Sequence, residues 1–192
     1  MNIPRHKVFI SFHSGDNDYD PQFGQYWKNR FEKLFVERYE SIVSRSVQDG
    51  DIEDDLAVET TRRKIRDEFI ADATVTVVLV GPETWKRKFV DWEISSSITN
   101  TKNNPRCGLL GILLPGFPGY NEATRTYNPR QIPPRLYDNI KCDFASLHVW
   151  NENPDVVAGW IHNAFERRYD ITPDNSRDLY RNNRSADQTG WQ

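Results

Sequence analysis

The run Val75-Thr-Val-Val-Leu-Val80, closed by Gly81-Pro82, constrains this chain more than any other stretch. A valine-rich run of that length, bounded by Gly and Pro, predicts a strand buried on both faces, as in a parallel sheet. After the break, Trp85, Phe89, Trp92 and Ser96 recur at i, i+4, i+7 and i+11, an aromatic stripe at helical spacing. Thr84 precedes the stripe and is placed to cap the helix. Glu93 lies one position beyond the last aromatic, on the margin of the expected buried face. Glutamates on helices are ordinarily solvated. This one has rings beside it and follows directly from a strand end.

The remaining segments fit the same scheme. Lys7-Val-Phe-Ile-Ser-Phe12 is an almost wholly apolar first strand, followed by a polar loop over 13–21. Phe23, Trp27, Phe31, Leu34 and Phe35 predict a helix over about 22–39. A short second strand is expected over 42–47, ending at the Asp49-Gly50 turn signal. Asp54 and Asp55 suit a helix start, with Leu56, Val58, Ile65 and Phe69 carrying that helix to about Asp72. Further strands are expected over 74–80, 108–114 and 145–150, and a last helix over 154–168 with Val157, Trp160, Ile161, Ala164 and Phe165 on one face. Alternating strands and helices predict an α/β doubly wound domain, a central mostly parallel sheet with helices on both faces. The stretch 115–134, crowded with Pro, Gly, Asn and Arg, is long enough to be a functional loop or an edge cover. Residues 1–168 form the expected domain, and the polar stretch 169–192 is expected to be a weakly held tail.

Composition bounds the function. A chain of 192 residues with 37% hydrophobic and 12% aromatic residues can bury a full core as one domain. A net charge of −3 supplies no basic field to recruit nucleic acid. Cys107 and Cys142 have neither zinc-site spacing nor the density of a disulfide framework. With no apolar leader and no membrane-length run, a soluble cytoplasmic protein is expected, with no membrane partner.

In open α/β sheets, ligands bind outside the carboxyl ends of the strands, at the switch in strand order. The loops 13–21, 48–54 and 81–85 lie there. No G-x-G-x-x-G follows the first strand and no phosphate-binding G-x-x-x-x-G-K-[ST] occurs. Asp16, Asp18 and Asp20 imitate a calcium loop, but Pro21 and Trp27 occupy the required Gly and Glu positions. His13, Ser14 and Asp16 are too close in sequence to be taken as a triad, and Ser14 has no nucleophile-elbow context. A receiver-type phosphoacceptor would need an Asp where the third strand ends in Val80-Gly81. No metal or phosphotransfer signal survives.

Lys7-Val-Phe-Ile-Ser-Phe12 resembles the first strand of TIR domains. Val-Thr-Val-Val-Leu-Val-Gly, with the following Glu-Thr-Trp and Phe-Val-Asp-Trp-Glu-Ile, resembles the third strand and helix of a TIR-like subgroup. That subgroup includes the TIR protein of the bacterial Thoeris anti-phage system. Pro133-Pro-Arg-Leu-Tyr-Asp-Asn-Ile140 is similar to the subgroup's late loop, and the likeness spans about 6–150. It implies a flavodoxin-like fold. In enzymatic TIR domains a third-helix glutamate, commonly in a Trp-Val-x-x-Glu pattern, is essential for cleaving the nicotinamide–ribose bond of NAD. Phe89-Val90-Asp91-Trp92-Glu93 matches that spacing with Phe for Trp, which keeps the ring and loses the indole N–H. The resemblance thus makes Glu93 the catalytic candidate, with NAD as substrate and neither cofactor nor metal.

The expected substrate contacts are Phe12, His13, Ser14, Asp16, Asp49, Trp85 and Phe89. Of these, Asp16 and Asp49 also read as turn formers and Trp85 as a core residue. The Thoeris likeness implies a cyclic ADP-ribose isomer as a second messenger for a separate effector, a phage-derived trigger and a possible homo-oligomer. The other reading is a non-catalytic interaction module, since the fold alone does not decide function. The third-helix glutamate is the feature that separates them. A nuclease role lacks paired acidic metal ligands and a basic patch.

Overall fold

The computed structural model describes residues 4–13, 26–35, 40–41, 51–53, 56–118, 120–185 and 190–191. Its strands are β1 (Lys7–Ser11), β2 (Glu40–Ser41), β3 (Val75–Val80), β4 (Gly108–Leu113), β5 (Tyr120–Asn121), β6 (Thr126–Tyr127) and β7 (Ala145–Val149). The α-helices among these residues are α1 (Tyr26–Phe35), α2 (Val58–Lys64), α3 (Lys88–Ser97), α4 (Pro134–Lys141) and α5 (Pro154–Asp170). Five strands pair in the order β2-β1-β3-β4-β7, all parallel, while β5 and β6 form a separate antiparallel hairpin. The chain leaves β1 toward β2 on one side and returns as β3 on the other. The switch point therefore lies between β1 and β3. This is the expected flavodoxin-like α/β architecture.

Strand alternation divides the core. Every residue of β3 and β4 is buried. Val8, Ile10, Val75, Val77 and Leu79 face Phe31 and Phe35 of α1 and Val157, Ile161 and Ala164 of α5. On the other face, Val78, Val80, Leu109 and Leu113 meet Val90 and Ile94 of α3 and Leu136 of α4. Phe9 joins Ile65 and Trp92 in a third cluster beside α2. At the start of β4 the sheet touches the backbone of α5. A Cβ on Gly108 would stand 2.1 Å from the Ala164 carbonyl oxygen, so no larger residue fits without displacing the helix. Helix α2 runs on as a π-helical turn, Ile65–Phe69. The fully buried Arg66 closes that end, donating to the carbonyls of Ile70 (2.5 Å), Ala73 (3.1 Å) and Pro105 (2.5 Å).

Several expectations need correction. Thr84 does not cap α3: its hydroxyl accepts from Gly81 N at 2.9 Å and tightens the exit from β3. Trp85 belongs to a separate 3-10 turn, Thr84–Lys86, and α3 begins only at Lys88. Helix α4 occupies the stretch expected as a late loop. Its two prolines mark the helix start, where the missing N–H does no harm. The segment after α5 is not weakly held. Trp92 Nε1 donates to Tyr180 O (2.8 Å), Tyr180 N to Asp91 Oδ2 (3.0 Å), and Trp191 Nε1 to Ile132 O (2.8 Å). Main-chain and charged partners hold it, and hydrophobic periodicity does not register those. The second strand expected over 42–47, the Asp49-Gly50 turn, and Asp54 with Asp55 lie outside the described residues; the β2 pairing falls just before them, at Glu40 and Ser41.

Candidate functional site

Alternation along β1 sends Phe9 and Ser11 to the face covered by α3, opposite Val8 and Ile10. Ser11 ends the strand with its side chain fully buried. Helix α3 descends from the end of β3 and packs Val90 and Ile94 on the sheet, which brings Glu93 to the switch point. There Ser11 Oγ donates to Glu93 Oε2 at 2.6 Å. That length lies at the short end of the range for O–H···O hydrogen bonds. Glu93 is only 1% exposed, and a buried carboxylate is tolerable only when such donors hold it.

The neighbouring acid on α3 has other work. Asp91 lies on the opposite side of the helix and forms a two-pronged pair with the fully buried Arg135, at 2.9 and 3.3 Å. Arg135 also donates to Asn175 Oδ1 (2.8 Å) and to Asp178 O (3.0 Å). On α4, burial pushes the Asp138 carboxyl up, but hydrogen bonds from Arg177 and Lys141 outweigh it and hold it below the usual range. On α2, burial and the nearby Arg135 charge lower the Arg62 pKa. The site thus presents Glu93 anchored toward the strand ends and Asp91 neutralised on the far side of the same helix.

Of the substrate contacts expected from sequence, Phe89 lies one helical turn before Glu93 and is half-buried, its ring edge-on to Trp92 at 5.7 Å. Trp85 is 2% exposed and serves as core. Phe12 packs against the cluster of Val8 and Ile10, on the sheet face away from Glu93. His13 follows it, half-buried. Ser14, Asp16 and Asp49 lie outside the described residues. The structure therefore joins Glu93 to Ser11, places Phe89 one helical turn from Glu93 and sets Phe12 apart. Ser11 was missed from sequence. Its signal was a lone hydroxyl in an otherwise apolar strand that had to be buried.

A parallel sheet in this order, with an anchored carboxylate at its switch point, defines a TIR-like α/β domain. Residues 9–117, more than half of the chain, match the family described as Thoeris protein ThsB, TIR-like domain, and the chain belongs to that family. It is a TIR-domain defence protein. A search of curated proteins finds no match. The matched span contains Ser11 and Glu93 but ends before the β5–β6 hairpin, α4, β7, α5 and the segment that follows. Among the described residues, no helix is long and apolar enough to cross a membrane.

Proposed function

We propose that this protein cleaves the nicotinamide–ribose bond of NAD, with Glu93 as its catalytic carboxylate. The observation that carries this reading is the Ser11–Glu93 hydrogen bond of 2.6 Å at the switch point between β1 and β3. Nicotinamide departs from a cationic pyridinium, takes the electron pair of the broken C–N bond and leaves as a neutral molecule, so its departure needs no general acid. The two carboxylates of ordinary glycoside hydrolysis reduce to one. The oxocarbenium-like ribose left behind is stabilised by a fixed anion, most strongly where water is excluded. Ser11 holds that carboxylate in one orientation. Phe89, one turn away, offers a ring wall.

Water capturing the ribose and losing a proton gives ADP-ribose. A nucleophile from the same nucleotide, folded back, gives a cyclic isomer. Membership of the Thoeris family favours the cyclic product as a messenger for a separate effector, made on a phage-derived trigger and with a possible homo-oligomer as the working form. The test is mass spectrometry of nucleotides from phage-infected cells that express wild type or Glu93→Gln, a swap that keeps shape and removes charge. A cyclic ADP-ribose isomer present with wild type and absent with the variant supports the proposal. Equal product from both removes Glu93 from the mechanism. Protection without product from either points instead to the interaction module.

A further inference from the structure

The sequence motif at 133–140 takes no part in the chemistry above, yet its polar residues share one task. Arg135, Asp138 and Asn139, at i, i+3 and i+4 on α4, lie on one face and seat the segment that follows α5. Arg135 holds Asn175 and the Asp178 carbonyl (2.8 and 3.0 Å). Asp138 accepts from Arg177 Nε at 2.7 Å. Asn139 exchanges two hydrogen bonds with the Asp174 backbone, at 2.8 and 3.0 Å.

From that seat the segment runs antiparallel along α3. Asn175 Nδ2 donates to Ser95 O (3.0 Å) and Thr99 Oγ1 (3.1 Å). Tyr180 binds Asp91 and Trp92 through its backbone N–H and carbonyl, at 3.0 and 2.8 Å. Finally Asn183 Oδ1 accepts from Lys88 N at 2.9 Å. Arg87, at the N-cap position of α3, makes no side-chain cap hydrogen bond, so Asn183, 95 positions from Lys88, caps the helix. Lys88, Asp91, Trp92, Ser95 and Thr99 mark successive turns of one face, and Glu93 projects from the other.

We infer that residues 174–183, seated on Arg135, Asp138 and Asn139, are a positioning element that fixes the height and rotation of α3 so that Glu93 meets Ser11. This rests on the reading of Glu93 as the catalytic carboxylate. A ten-residue helix is marginal by itself and takes its placement from tertiary contacts. A slide of about 1 Å would open the Ser11–Glu93 bond beyond hydrogen-bonding range and, at a catalytic centre, can reduce rate by roughly 10²-fold.

The test uses the full chain with Asn175→Ala and the exposed Asn183→Ala, each alone and combined with Ser11→Ala, assayed for NAD cleavage. Each Asn variant is expected to lower kcat at least about tenfold with KM within about twofold. It should also move the acid limb of the kcat–pH profile upward, as Ser11→Ala does, because the hydroxyl no longer favours the charged carboxylate. Combination with Ser11→Ala should add little, since both lesions break the same contact. Asn183→Asp, which keeps the capping oxygen, should retain the wild-type rate. An unchanged kcat and acid limb in the Asn variants, or effects that multiply fully with Ser11→Ala, overturn the inference while leaving the proposed function standing. Where wild type itself cleaves no NAD, that function falls, and amide exchange decides. Exchange over residues 90–96 that accelerates at least about tenfold in Asn183→Ala, with β4 unchanged, upholds residues 174–183 as a strap across α3. Equal exchange there removes it.

Discussion

Ser11 and Glu93 stand 2.6 Å apart although 82 residues separate them. Glu93 was legible through its spacing from Phe89 and the family likeness. Its partner was not, because one strand residue carries no information about which helix will cover it. The near-complete burial of Glu93 was also hidden: the stripe suggested a margin position, whereas α3 is covered by the sheet inside and by residues 174–183 outside. A helix covered all round shows no clean stripe. Beside it, the Asp91–Arg135 pair is buried on both sides, with exposures of 3% and 0%. Removing one member leaves the other charge stranded. Arg135→Met is therefore expected to destabilise the fold by about 3–5 kcal/mol in urea titration, and the double change with Asp91→Leu by clearly less. A double-variant loss equal to the sum of the two single losses would show that the pair is not coupled.

Among the elements, β3, β4 and α5 were readable because each carries its apolar residues at one period. Helix α4 was not. It has eight residues, begins with proline and places Leu136, Tyr137 and Ile140 against the core, too short a run to show a helical period. The strap was missed for a different reason: its docking is polar, and a sequence does not show which amides and carbonyls will find each other. The contact between β4 and α5 gives a sharp test at this scale. Gly108→Ala would set a methyl against the Ala164 carbonyl and is expected to cost about 1–3 kcal/mol, read as a lower urea midpoint at constant m. A midpoint at the wild-type value would mean that α5 shifts freely from the sheet.

Across the whole molecule, the doubly wound α/β layering followed from the alternation of buried runs and amphipathic segments, and the structure agrees with it. What sequence could not supply was the pH response of the assembled fold. His6 packs at a tilt against Phe165, and it stacks on His162 and shares a hydrogen bond of 3.1 Å with it. His148 stacks on Trp160, with ring centroids 4.1 Å apart. Burial, with His162 and Arg168 beside His6 and Arg167 beside His148, lowers both to about 4. Unfolded imidazoles take up protons near about 6.5, before the folded ones do. Stability is therefore full above that value, declines as pH falls from about 6.5 toward 4, and levels off below. A lower urea midpoint at pH 5 than at pH 7.5, with the gap narrowed by His148→Gln, is the expected result. An equal midpoint at both would contradict it.

Whether a single buried carboxylate performs the chemistry is decided by setting NAD affinity beside NAD turnover for Glu93→Gln. The expected result is binding within a few-fold of wild type and a turnover lower by on the order of 10³, the loss of one preorganised charge beside a developing cation. Turnover that persists in the variant, with affinity intact, would contradict that role for Glu93 and place the chemistry elsewhere in the domain.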